Sequence, residues 1–131
     1  SIRRRQRQMC IRDRTNTCHY ITLLNPHAKY LHDECIIAMK NKMWASVLIL
    51  TLTILDNINA DENSLNYIDA LDLNDFKNSK DFHWLRQRRN KILHFEGPIE
   101  GFYGNNDSEY TLKKDAERSL KIMRVGLTKL F

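Results

Sequence analysis

Glycine and proline are scarce in this chain, at four and two of 131 residues. An all-β sandwich or barrel needs frequent turn residues, so the scarcity points to long helices. Cysteine is scarce too. Cys10, Cys18 and Cys35 are odd in number and form no CxxC pair. That disfavours a disulfide framework or a cysteine zinc site, and it suits a reducing, cytoplasmic compartment with Cys18 and Cys35 as packed thiols. The longest mostly apolar stretch, MWASVLILTLTILDNI over 43–58, is too short and too rich in threonine for a membrane span. His19, His27 and His32 lack a ligand spacing such as HExxH, and His83 reads as a helix-surface residue. Neither a metal nor another cofactor is therefore expected.

The remaining composition is that of one globular domain. Hydrophobic residues are 42% and charged residues 28%, and the length suffices to close a core without staples. Lysine plus arginine exceed aspartate plus glutamate by 21 to 16, a net charge of +5. At face value this announces an anionic partner. Six of the arginines, however, lie in residues 1–14, SIRRRQRQMCIRDR, against one aspartate. Residues 4–13 back-translate onto an adapter used in transposase-based sequencing libraries. Residues 1–14 are therefore expected to be a non-native N-terminal scar rather than a phosphate-gripping arm or a targeting peptide. Setting them aside leaves 15 basic and 15 acidic residues in a single domain over 15–131.

Within 15–131 there are no repeats or low-complexity tracts. Residues 15–24 fit either a short helix or an extended arm. Asn25-Pro26 is a helix start, an Asx cap followed by proline in the first turn, and helical spacing carries on to about Lys42. Residues 43–58 alternate in part like a strand (LTLTI) but find no partner strand, so length favours a buried helix. Asp61 to Ser64 is a cap signal for a weaker helix from about Leu65, which Asn74 to Ser79 should break. Ser79 then caps a helix over Lys80–Phe95, stopped by Gly97-Pro98. A polar loop precedes a last helix over about Tyr110–Leu130, with Leu112, Ala116, Leu120, Met123, Leu127 and Leu130 as its stripe. The expected fold is all-α, an up-and-down bundle of four to five helices.

The helix over 80–95 carries the unusual pattern. On a helical wheel Phe82, Leu85, Ile92 and Leu93 form a stripe, and Arg89 falls inside it. A guanidinium on a core face needs an acceptor. Asp56 is the one charged residue between Lys42 and Asp61, so the simplest expectation is that Asp56 meets Arg89 and orients it. Arg86, Asn90 and His94 form a second line at i, i+4 and i+8. Lys80, Arg86, Arg88, Arg89 and Lys91 against Asp81 give this helix a local charge of +4, suited to a phosphate chain.

Trp84 to Gly97, WLRQRRNKILHFEG, contains Arg89-Asn90-x-x-x-His94. This resembles the R-x(4–6)-H motif of HEPN domains (higher eukaryotes and prokaryotes nucleotide-binding), over about residues 25–131. The resemblance implies a HEPN-like bundle and a metal-independent endoribonuclease of a toxin–antitoxin or antiviral-defence system. In that reading His94 is the general acid/base, Arg89 stabilises the transition state and Asn90 orients or contacts ribose. Arg86, Arg88 and Lys91 are the candidate RNA contacts, their plainer reading being a solvated face. Glu96 stands at the tyrosine position of one toxin subgroup's longer motif. Arg89 and His94 lie about 140° apart on an ideal helix, and one histidine is thin for work at two oxygens. Both problems ease in a symmetric homodimer with a composite cleft. Two other readings stay open: a non-catalytic HEPN module binding an antitoxin, a nucleotidyltransferase or a nucleotide, and a bundle in which Asp56–Arg89 only sets the fold. Trp44 and Trp84 read as core or interface, and Tyr103 and Tyr110 as loop flank.

Overall fold

The computed structural model describes residues 19–94 and 106–131. Residues 1–14, the Gly97-Pro98 stop and Tyr103 lie outside them. The described residues are mostly helical and include no strand, with five helices of eight residues or more and two single turns. They run α1 (Tyr20–Leu23), α2 (Pro26–Lys40), α3 (Trp44–Ala60), α4 (Glu62–Leu65), α5 (Ala70–Lys77), α6 (Lys80–His94) and α7 (Asn106–Leu130).

The cap signals act as their chemistry requires. The Asn25 side chain accepts from the Ala28 amide at 2.7 Å and so satisfies one open donor of α2. At the other end of α2, Met43 N–H donates to Ala38 O and Lys42 N–H to Met39 O. This is a Schellman closure with Lys42 at φ 59° in the position glycine usually takes. The left-handed conformation costs a side-chain-bearing residue about 1 kcal/mol, and in exchange the chain reverses in three residues and lays α3 on α2.

α3 is the hub, packing against α2, α6 and α7. Val47, Leu48, Leu52, Ile54, Leu55 and Ile58 are buried on it, each such side chain stabilising the fold by about 1.5–3 kcal/mol. Its threonines do not make it a strand. Thr51 and Thr53 donate their hydroxyls to Leu48 O and Ile49 O one turn back, so the polar groups are satisfied within the helix. α7 closes the core with Ala116, Leu120, Met123, Leu127 and Leu130, all buried, while Leu112 packs at the margin.

The expected helix from Leu65 is replaced by two pieces. α4 ends at Leu65, and α5 begins at Ala70 because the Asp69 carboxylate accepts from the Leu71 and Asp72 amides. Asn74 does not break α5. The helix passes through it to Lys77, and the break falls at Asn78-Ser79. Ser79 then accepts from the Phe82 amide at 3.2 Å while donating to Phe76 O at 2.7 Å. One hydroxyl thus links the end of α5 to the start of α6.

Candidate active site

α6 packs against α3 and α7, and its buried stripe is Phe82, Leu85 and Arg88, with Ile92 partly buried beside it. The stripe is rotated from the expected one. Leu93 is exposed at 49%, and Arg88 takes an inward place because α7 offers it a carboxylate: Arg88 Nε stands 2.7 Å from Asp115 Oδ2. Arg88 is 9% exposed, so it is not part of a solvated basic face and does not offer its side chain to a ligand at the surface.

On the flank facing α3, Asp56 is shared by two arginines. Arg86 Nη2 donates to Asp56 Oδ1 at 3.0 Å, and Arg89 Nη1 donates to Asp56 Oδ2 at 3.2 Å. Arg89 Nη2 also donates to Asn90 Oδ1 at 3.1 Å. The contact between Asp56 and Arg89 is the one the lone carboxylate of α3 pointed to, and the contact with Arg86 is additional. Arg89 is mostly buried, at 17% side-chain exposure, whereas Arg86 is 42% exposed. Arg86 also stacks over the Phe82 ring, 5.1 Å from its centroid, a cation–π contact that holds the guanidinium plane. The Arg89 Nε is buried without a hydrogen-bond partner among the described residues.

His94 is the last residue of α6 and is exposed, as is Lys91. No side-chain hydrogen bond or ion pair joins His94 to Arg89 or Asn90, so the three motif residues are not brought together within one copy. Among the described residues no three of histidine, cysteine, aspartate and glutamate converge as a metal site, and no helix is long and apolar enough to cross a membrane.

Several other polar groups have structural explanations. His32 is buried on α2, its Nε2 3.3 Å from the Tyr20 hydroxyl. Burial, and then the charge of Arg124, hold its pKa below the usual histidine value. Burial pushes the Cys35 thiol up to about 11, which makes it inert. Asp61, Asn25, Asn57 and Ser64 bond one another where α2, α3 and α4 meet, and the bonds from Ser64 and Asn25 hold the Asp61 carboxyl below its ordinary range. Trp44 is buried in the core, and Trp84 lies under Arg118 with the guanidinium 4.0 Å from its ring centroid. Tyr110 is exposed.

Sequence reasoning missed Asp115 and Gly126. Asp115 sits among Lys113, Lys114, Glu117 and Arg118, where one acid draws no attention. Gly126 was legible as a lone glycine inside a helical pattern: the Phe76 ring of α5 lies where its Cβ would be, with ring carbons at 2.6 and 2.7 Å. No family model matches the chain, and neither the curated proteins nor the solved structures contain a match to it.

Proposed function

We propose that the protein is a HEPN-type, metal-independent endoribonuclease that acts as a symmetric homodimer in a toxin or antiviral-defence role in the cytoplasm. One observation carries the reading: Arg89 of the Arg89-Asn90-x-x-x-His94 motif is gripped on one side by Asp56 and on the other by Asn90. A guanidinium fixed in this way meets a developing charge without reorganising. A surface arginine free to swing would not.

RNA supplies its own nucleophile, the ribose 2′-OH. In the proposed step His94 of one copy removes the 2′-OH proton, and the oxygen attacks the adjacent phosphorus. Arg89 stabilises the extra negative charge on the phosphorane oxygens with its remaining N–H donors. The P–O5′ bond then breaks, and the 5′ oxygen takes a proton from His94 of the second copy. The products are a 2′,3′-cyclic phosphate and a 5′-OH end. Pairing two copies also brings a histidine to the arginine that its own helix turns away from it.

The test is cleavage of a fluorescent RNA in excess chelator. Cleavage should persist there and should fall about 10²–10³-fold in Arg89→Ala, the range for loss of one transition-state donor. It should vanish in His94→Ala, whose exposed side chain can be removed without unfolding the chain. Activity unchanged in His94→Ala, or an inert wild type, would leave the non-catalytic module as the better reading.

A further inference from the structure

Two guanidiniums and one carboxylate do not balance. At Asp56 the sum is one positive charge left over, and it is held in place rather than dispersed. Arg86 and Arg89 bind opposite oxygens of the same carboxylate, so their forks lie within the width of one small anion. Each spends a single Nη–H on Asp56. Arg89 spends one more on Asn90, and Arg86 has no other hydrogen-bond partner among the described residues. Arg86 is nevertheless not loose. Its plane rests on Phe82, whose ring packs edge-on against Phe76 of α5 with centroids 5.3 Å apart. The outer arm is half exposed and the inner arm mostly buried, so an incoming anion would meet Arg86 first and Arg89 beneath it.

We propose that Arg86 and Arg89 form an oxyanion subsite for a phosphate group, and that Asp56 is the internal anion with which the phosphate competes. This deepens the nuclease reading and rests on it only for the identity of the phosphate as part of an RNA backbone. Two planar forks around one anion suit a tetrahedral phosphate, whose oxygens accept several donors at once. Asp56 then has two roles that pull in opposite directions. It positions Arg89, and it weakens the site's hold on phosphate by occupying one donor of each arm. Arg88 has no part in the subsite, because it is buried on the opposite flank against Asp115.

The experiment titrates the full chain first with inorganic phosphate and then with an uncleavable 2′-O-methyl oligonucleotide, following the arginine Nε–Hε resonances. Arg86→Gln should weaken phosphate binding about tenfold or more, the loss expected for a hydrogen bond to a charged group. For the oligonucleotide it should also lower the slope of log affinity against log salt by about 0.7, one backbone contact fewer. Asp56→Asn should tighten phosphate binding while chemical shifts elsewhere in the bundle persist. Unchanged binding in Arg86→Gln, weaker binding in Asp56→Asn, or a wild type that takes neither ligand would overturn the subsite. Binding of inorganic phosphate without the oligonucleotide would support the subsite and assign it to a free phosphate anion. Because neither ligand is cleaved, the subsite can stand where the nuclease reading falls. Cleavage that is indifferent to Arg86→Gln would mark the reverse.

Discussion

α6 carries an arginine–carboxylate cluster on each flank, and the two are built differently. Towards α7, Arg88 lies 2.7 Å from Asp115, with side-chain exposures of 10% and 23%. Towards α3, Asp56 meets two arginines and is itself 36% exposed. The first lies largely out of water, where an unpaired charge would be costly. The second keeps one surplus charge at the surface, in contact with any anion that arrives. Residue types and helix are the same in both cases. Burial separates the cluster enclosed in the bundle from the one open to solvent.

The sharpest way to break this comparison is to remove one member of the buried pair. Arg88→Ala leaves Asp115 without its partner. We expect a loss of about 3 kcal/mol in urea unfolding, the lower end of the range for breaking a buried pair because Asp115 keeps some contact with water. Asp115→Ala should cost a similar amount, and the double variant should recover part of the loss. Additive effects near 0.5 kcal/mol would place Arg88 at the surface after all and erase the distinction between the flanks.

The two clusters also differed in how far the sequence revealed them. Asp56 stood alone on the most apolar helix of the chain, so its need for a cation was plain, and Arg89 was the arginine that the wheel placed nearest the core. Arg88 lay beside Arg86 and Arg89 in a run of like charge, and nothing local said which would turn inward. The wheel is off in phase at its end, where it sets Leu93 with the core although Leu93 is exposed. A few tens of degrees of rotation decide whether Arg88 or Leu93 faces α7, and the long-range contact with Asp115 settles it. Caps were read better than breaks. Asn25 and Ser79 announce α2 and α6 through bonds to nearby amides, whereas Asn74 reads as a breaker in a helix that starts at the Asp69 cap and runs through it. In the proposed dimer the partner of His94 is not a matter of local pattern at all, since it depends on how copies of the chain would meet.

A smaller effect is expected on the α3 flank. Asp56→Ala removes the acceptor of two guanidiniums, but Arg86 can turn to water, and only Arg89 stays largely enclosed. We expect a loss of about 1–1.5 kcal/mol by urea unfolding, well below that of Arg88→Ala. Double-mutant cycles should assign the larger coupling to Asp56–Arg89 and a coupling below about 0.5 kcal/mol to Asp56–Arg86. Equal couplings would mean that Arg86 is held as firmly as Arg89, which would leave it less able to exchange its carboxylate for another anion.

The smallest effect belongs to a third ion pair of α6, which extends the comparison to full exposure. Arg118 of α7 lies 3.5 Å from Asp81, with side-chain exposures of 49% and 65%, and the same guanidinium covers the Trp84 ring at 4.0 Å. At that exposure the charge pair is screened by water and salt, so Asp81→Ala should change unfolding stability by less than about 0.5 kcal/mol, and less still in 1 M NaCl. Arg118→Ala should cost more, about 0.5–1 kcal/mol, because the stack over Trp84 goes with it. Salt should erase the effect of Asp81→Ala and leave most of that of Arg118→Ala. A salt-sensitive Arg118→Ala would mean that the carboxylate, not the ring, holds this arginine. The three sites on α6 would then follow charge alone rather than burial.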